Sequence, residues 1–403
     1  VAPTRWLFFL LLIFLLGVFF QIPLLPTLAT AVAVVIGVAY WWHKHALDNI
    51  SYRRKFHYRR AFPDEEVPVR LDVENRKLLP ISWLRIRDPW PKSVAPLEEE
   101  TLAPSHISGV GEMVNLFSLR WFERARRNYV LKFRKRGVYT IGPAKMESGD
   151  LFGIYSETKQ VGKSEKLTVF PKLVPHLDME LPAEDPFGDR RSRRRMFEDP
   201  SRPMGVREYR PEDEFRRIHW PATARMGELQ VKVYQPTSNQ VMVVCLNAAT
   251  GPHHWEGVYP ELLEYLVRLS ASVVHKGIQD GYQVGLISNG AVGEADRSFR
   301  ILPGSSSRQL AHLLEILAGV SPIVTASFDR FLMKELPRVP FGATLVIVSA
   351  VNTPAINETL VRVKQRGRKI VLISLAEEPP PNIKGIQIIH LPFKEELLGE
   401  KAI

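Results

Sequence analysis

Residues 6–42, WLFFLLLIFLLGVFFQIPLLPTLATAVAVVIGVAYWW, contain no charged side chain. This run constrains the chain more than any other feature. A bilayer-spanning helix needs about 20 apolar residues, so the run is too long for one span and suits two short ones. Pro23 and Pro26 in QIPLLP interrupt helical continuity, because proline lacks an N–H and clashes with the preceding turn. The expectation is a transmembrane helical hairpin within residues 1–45, with helices over 6–20 and 27–42. Trp6, Tyr40, Trp41 and Trp42 stand where interfacial aromatics belong. A cleavable signal peptide, with TLATA as its cleavage site, has an apolar core of only about 7–15 residues, and this run continues well past that site. Six Lys/Arg against one Asp follow in HKHALDNISYRRKFHYRR, and Arg5 precedes the first helix. Cationic flanks stay on the cytoplasmic side, so both termini and the remaining chain are expected in the cytoplasm at the cell membrane.

The other residues read as two folded parts. Residues 46–175 alternate as strands do. VPVRLDVEN places Val67, Val69, Leu71 and Val73 on one face, SWLRIRD places Leu84 and Ile86, and NYVLKF places Tyr129, Leu131 and Phe133. Short alternating strands separated by turn residues predict an immunoglobulin-like β-sandwich. The basic stretch 120–136 reads as the solvated face of a strand pair. Residues 176–204, rich in Pro, Asp and Arg, form a linker. Its RRSRRR run lacks interleaved aromatics, which argues against nucleic acid and for a membrane or acidic partner. After residue 240 the pattern changes to buried strands (QVMVVCLN, YQVGLIS, ATLVIVSA, KIVLISL) alternating with amphipathic helices. That alternation predicts an α/β domain over 205–403 with a mostly parallel, doubly wound sheet covered on both faces.

The net charge of +11 favours an acidic partner, such as an anionic membrane surface or protein face. A single cysteine, Cys245, lies inside an apolar strand and excludes both an intrachain disulfide and a Cys-rich zinc module. Phosphate-binding Gly-rich loops and the G-x-S-x-G nucleophile turn are missing from the sequence. GSSSR at 304–308 reads as a loop into a helix cap. His253 and His254 are adjacent and so point apart. Nothing assembles a nucleophile, a base and an orienting group.

The least generic stretch is GVREYRPEDEFRRIHWPATARMGELQVKVY, residues 205–234. VREYRP reads as extended, and EDEFRRIHW as a short helix ended by Pro221. Phe215 and Ile218 would share a face of that helix, and LQVKVY would be an edge strand. Arg207, Arg216 and Arg225 are candidate forks for carboxylates, with Asp213 their most obvious partner. A buried pair of this kind would lock a domain junction.

Gly205, Arg207, Tyr209, Asp213, Arg216, Ile218, Trp220, Ala224 and Arg225, together with KRGVYTIGP at 135–143 and SGDLFGIY at 148–155, carry a resemblance. The chain resembles bacterial membrane proteins with the domain of unknown function 58. The resemblance implies a von Willebrand factor A-like α/β fold, and hence a metal-dependent adhesion site of the form Asp-x-Ser-x-Ser after the first strand. This sequence has Asn247, Ala249 and Gly251 there, and Ser349 where a later strand would supply a carboxylate. Each departure removes charge or ligand oxygens that a hard cation needs, so no metal and no cofactor are expected.

The resemblance also implies a MoxR-type AAA+ ATPase as partner, alongside other membrane or envelope proteins, in assembly or maturation of envelope complexes. The resulting expectation is a non-enzymatic membrane-anchored adaptor whose binding and structural residues are Arg207, Tyr209, Asp213, Arg216, His219, Trp220 and Arg225. The alternative is a hydrolase, or an anion- or nucleotide-binding protein, using Asp213, His219 and the hallmark arginines.

Overall fold

A computed structural model describes residues 3–98, 102–151, 153–174, 198–210, 213, 215–236, 241–253, 255–293, 295 and 297–393. The linker expected over 176–204, with its RRSRRR run, lies outside the described residues except for 198–204. The chain divides into two compact units, one of residues 1–172 with 314–320, the other of residues 173–313 with 321–403.

The first unit opens with helices α1 (Pro3–Phe19) and α2 (Leu24–Ala46), joined by a turn at residues 20–23. Gly17 sits at the crossing, where any side chain would collide with Leu25 and Pro26. The proline break falls as expected, but Pro26 lies in the first turn of α2, where its missing N–H costs no hydrogen bond. Of the two helices, α2 is long and apolar enough to cross a membrane, and α1 is shorter. Apolar side chains such as Phe9, Leu15, Val34 and Trp41 are exposed on both.

Eleven strands follow: β1 (Ile50–Phe56), β2 (Arg60–Ala61), β3 (Glu66–Asn75), β4 (Ile81–Pro91), β5 (Leu102–Pro104), β6 (Val110–Leu119), β7 (Arg124–Lys132), β8 (Gly137–Ile141), β9 (Ala144–Gly149), β10 (Ser156–Val161) and β11 (Glu165–Val169). They form sheets ordered β1-β3-β7, β10-β9-β4-β6-β5 and β2-β11-β8. The alternation read from the sequence is the packing observed: Val67, Val69, Leu71, Val73, Leu84, Ile86, Leu131 and Phe133 share one buried core with Trp90.

That core encloses an ion pair between Arg54 and Asp88. Arg54 Nε and Nη2 donate to the two Asp88 carboxylate oxygens at 2.6 and 2.7 Å, and Tyr52 Oη donates to the same carboxylate at 2.7 Å. Burial, and then the neighbouring Asp88 charge, push the Tyr52 phenol far above its ordinary range. The KRGVYTIGP segment gains a physical reason here. Gly142, at φ 82°, lies against the Arg54 guanidinium, and a Cβ there would overlap it. In SGDLFGIY, whose Phe152 lies outside the described residues, the Asp150 carboxylate accepts from Tyr155 N at 2.7 Å, and Gly149 meets the Tyr155 carbonyl where no side chain fits.

The second unit contains a ribbon of β12 (Glu198–Glu208) and β13 (Gln230–Pro236) with a short helix α3 (Trp220–Met226) between them. Its main sheet uses β14 (Val241–Leu246), β15 (Gln283–Ser288), β17 (Phe299–Gly304), β19 (Thr344–Ser349), β20 (Lys369–Ser374) and β21 (Gln387–His390), in the order β17-β15-β14-β19-β20-β21. A small pair, β16 (Gly290–Val292) and β18 (Val320–Val324), stands apart. All main-sheet pairings are parallel except β15–β17.

The helices are α4 (Pro260–Gln279), α5 (Ser307–Ala318, of which residues 314–318 count with the first unit), α6 (Phe328–Glu335) and α7 (Pro354–Gln365). Val243 and Cys245 of β14 pack with Phe331, Leu332, Ile356 and Leu360 of α6 and α7. On the opposite face Gly277 of α4 receives Met242. Both faces of the sheet are therefore covered, and its four central strands β15, β14, β19 and β20 are buried as continuous apolar runs. Cys245 is fully buried, which pushes its thiol well above the usual range. Ser306 caps α5, its Oγ accepting from Gln309 N at 3.1 Å, and Gly367 closes α7 at φ 77°.

Removing one partner of a buried ion pair leaves an uncompensated charge. Asp88→Ala is therefore expected to lower the unfolding free energy of the first unit by about 3–5 kcal/mol, read by chemical denaturation. Gly142→Ala is expected to destabilise the same unit through its overlap with Arg54.

Candidate functional site

The hallmark stretch folds as a clasped ribbon. Tyr209 N donates to Leu229 O at 2.8 Å, extending the β12–β13 pairing to the tip. Arg207 grips Asp213 with both terminal nitrogens, Nη1 to Oδ2 at 2.7 Å and Nη2 to Oδ1 at 2.6 Å. The same carboxylate accepts from Arg210 N at 2.9 Å. The Arg207 hydrogen bonds hold Asp213 below the usual carboxylate range.

This pair is not the buried lock expected from the sequence. The Arg207 side chain is 42% exposed against 14% for Asp213, so solvent screens it. Arg216 and Arg225 are exposed, and Arg225 has no carboxylate partner among the described residues. Residues 211, 212 and 214 of the hallmark, Pro211 among them, lie outside the described residues.

Among the described residues of the helix expected over 212–220, Phe215–Arg217 form a single 3-10 turn, and the α-helix begins at Trp220. Pro221 starts that helix rather than ending one, because φ near −65° and a missing N–H suit the first helical turn. His219 caps it: Ala222 N donates to His219 Nδ1 at 3.0 Å, while His219 N donates to Gln230 O at 2.7 Å. Thr223 Oγ1 accepts from Gln230 N at 3.0 Å, and Gly227 leaves the helix at φ 77°. Ile218 and Val231 are buried beneath. Phe215 and Ile218 do not share a face, since Phe215 is 70% exposed and Ile218 is buried. The Tyr209 and Phe215 rings lie 5.6 Å apart. Phe215, Trp220, Met226 and Leu229 are all exposed, so a hydrogen-bonded frame leaves four large apolar side chains in solvent.

The second candidate region is the carboxyl end of β14 and β19. The chain leaves β14 for β15 on one side and returns to β19 on the other, the crevice where open α/β sheets bind ligands. Here the polar side chains at the strand ends bond to one another. Asn247 Nδ2 donates to Ser349 Oγ at 2.9 Å, and Asn247 Oδ1 accepts from Asn289 Nδ2 at 3.0 Å and Ala249 N at 3.2 Å. Asn289 also accepts from Ala248 N at 2.9 Å and donates to Ala326 O at 3.0 Å. Asn247, Asn289 and Ser349 are all buried.

Of the four positions expected to be degenerate metal ligands, Asn247 and Ser349 are joined directly. Ala249 contributes a backbone N–H, and Gly251 leaves room for the Glu256 carboxylate. Asn289 was not among the sequence candidates; its signal was the polar SNG that ends the apolar run YQVGLI. No group of three or more His, Cys, Asp or Glu side chains suited to a metal occurs among the described residues. His253 pairs with Glu256 at 3.1 Å, and His254 lies outside the described residues. His219 and Asp213, required together by the hydrolytic alternative, are not joined by any hydrogen bond or ion pair; each is engaged elsewhere.

An all-β unit with an apolar helical hairpin, followed by a parallel α/β sheet that carries the clasped ribbon, is the class of molecule in hand. Residues 205–383 match the family model described as "Protein of unknown function DUF58". It is 23% identical over 315 residues to the uncharacterized protein YeaD of Bacillus subtilis (strain 168), covering 75% of this chain and 70% of that one. Among solved structures it is similar to the CARDB domain of a Pyrococcus furiosus protein in complex with di-metal ions, at 10% identity and TM-score 0.20 over 30% of this chain and 91% of that one. It is also similar to a cohesin module of a Clostridium perfringens family 33 glycoside hydrolase, at 7% identity and TM-score 0.21 over 30% and 96%.

Two outcomes are expected. Asn289→Ala strands the Asn247 and Ala248 partners and is expected to cost about 1–3 kcal/mol in denaturant unfolding of the second unit. Because the pKa of Asp213 is depressed in the folded ribbon, its contribution is present above the unfolded value near ~3.9 and is lost as pH falls through the folded value. Hydrogen exchange at the Arg210 amide should therefore lose protection in acid. Asp213→Ala should accelerate that exchange at neutral pH by up to about fivefold, the scale of an exposed pair.

Proposed function

We propose that this protein is a membrane-anchored interaction protein, an adaptor rather than a catalyst, and that the 205–234 ribbon is its docking element. One observation carries the reading. A frame stiffened by the Arg207–Asp213 fork, the His219 cap and the Thr223–Gln230 bond holds Phe215, Trp220, Met226 and Leu229 in solvent. Exposed aromatic and apolar side chains on a pre-ordered frame are what protein interfaces use as anchors. The partner we propose is a MoxR-type AAA+ ATPase, following the family resemblance, with membrane or envelope proteins as clients. Helix α2 supports the anchor, the cationic flank 43–60 supports a cytoplasmic orientation, and a two-helix hairpin extends that reading to a multi-pass topology.

The second unit is further inferred to be von Willebrand factor A-like, with its ligand end closed by Asn247, Asn289 and Ser349, and the first unit to be an immunoglobulin-like sandwich. Strand order and burial support both readings.

The test is binding of the full chain in detergent to a purified MoxR-type ATPase from the same organism. Phe215→Ser with Trp220→Ser is expected to weaken Kd about tenfold or more, the scale of losing an aromatic anchor, with an unchanged circular dichroism spectrum. Absence of binding by the parent chain would falsify the choice of partner, and unchanged affinity in the double variant would remove the ribbon as the docking element.

A further inference from the structure

The described parts of three loops of the first unit expose apolar side chains, and topology brings all three to one end. Strand pairings Ile50↔Asn75, Glu74↔Arg124, Ile81↔Leu119, Leu84↔Ser148 and Ser156↔Gly149 align the β3–β4, β6–β7 and β9–β10 connections beside the point where α2 hands over to β1. The side chains displayed there are Leu78 (76% exposed), Trp121 (62%), Phe122, Leu151 and Ile154.

The loops are tied to α2 itself. Lys77 Nζ donates to the His45 and Ala46 carbonyls, a cation at the helix C-terminus where the dipole favours it. Leu78 and Leu79 line a groove with Trp41 and His45. Phe122 N donates to Lys77 O at 3.3 Å, joining the second loop to the first. On another side of the helix the Tyr155 ring stacks on His43 at 5.6 Å and meets Tyr40 edge-on at 5.9 Å. Tyr40 precedes the last residue of α2 by six positions, or about 9 Å at 1.5 Å per residue. The loops therefore reach back along α2 to the level of its aromatic belt.

We propose that this end of the β unit is a membrane-docking collar, whose Leu78, Trp121, Phe122, Leu151 and Ile154 enter the interfacial layer of the bilayer crossed by α2. The occupant is lipid rather than protein because two of the loops that carry these side chains contact α2 beside its Trp and Tyr residues, the types that partition to the interface. Charge agrees without dominating: Arg76, Arg120 and Arg124 stand at the same end, partly offset by Glu74 and Glu123. The inference rests on α2 being a membrane anchor.

The experiment uses the full chain reconstituted in phosphatidylcholine vesicles with a minor anionic component. An environment-sensitive fluorophore is placed at Leu78→Cys, Trp121→Cys, Ile154→Cys or, as control, Ile107→Cys. The native Cys245 is fully buried and does not compete for label. Ile107 is exposed and precedes the far end of β6, roughly 30 Å along the strand from the collar. Vesicle flotation reports the anchor. Lipids brominated near the headgroup report the collar: labels at 78, 121 and 154 should lose about half or more of their emission, since interfacial surfaces sit roughly 5–10 Å into the headgroup/acyl boundary. The label at 107 should stay bright. Flotation with all four labels equally bright overturns the collar and keeps the anchor, leaving the surface to a protein. Equal quenching at 107 overturns it in favour of a unit lying flat on the bilayer. Failure to float overturns anchor and collar together.

Discussion

A buried polar group without a partner costs about 1–3 kcal/mol, and that constraint organises both units of this chain. In the first unit it sets the surroundings of Arg54. The guanidinium can stay inside the β core because Asp88 and the Lys163 carbonyl take its donors. In the second unit it decides the fate of the crevice at β14 and β19. Asn247 offers one donor group and one acceptor, and both are consumed internally by Ser349, Asn289 and the Ala249 amide.

The hallmark ribbon follows the same rule at the surface, with a different result. Its hydrogen bonds are made by Arg207, Asp213, His219 and Thr223, which leaves the aromatic side chains without internal work. The residues that look chemical in the sequence thus hold the frame, and the residues that look like core are displayed. Asp213 and His219, which the hydrolytic alternative takes together, bond to different parts of this frame, one to Arg207 and the other to the Ala222 amide. The collar of the first unit repeats the pattern: Asp150 and Lys77 order the loops, and Leu78, Trp121 and Ile154 are left exposed.

Periodicity made much of the architecture legible. Val67, Val69, Leu71 and Val73 predicted their shared core, and the continuous runs at 241–246 and 344–349 predicted strands buried on both faces. Turn chemistry was less legible, because Pro221 is equally compatible with ending one helix or starting the next. The choice fell to His219, whose ring accepts the Ala222 N–H and whose own N–H is taken by Gln230. Asn289 escaped notice for a related reason. Its importance comes from lying next to Asn247 across two parallel strands, which no local pattern records.

What the sequence by itself determined is every property that a period or a composition encodes: the uncharged hairpin, the alternating β strands, the parallel α/β core and the departures at 247, 249, 251 and 349. Tertiary structure alone decided which polar groups meet, and so which surfaces remain apolar and exposed. The physical reason is range. Backbone period is set by neighbours within a few residues, whereas the pairing of Asn247 with Asn289 and Ser349, of Arg54 with Asp88, and of Lys77 with the end of α2 joins residues tens to a hundred positions apart.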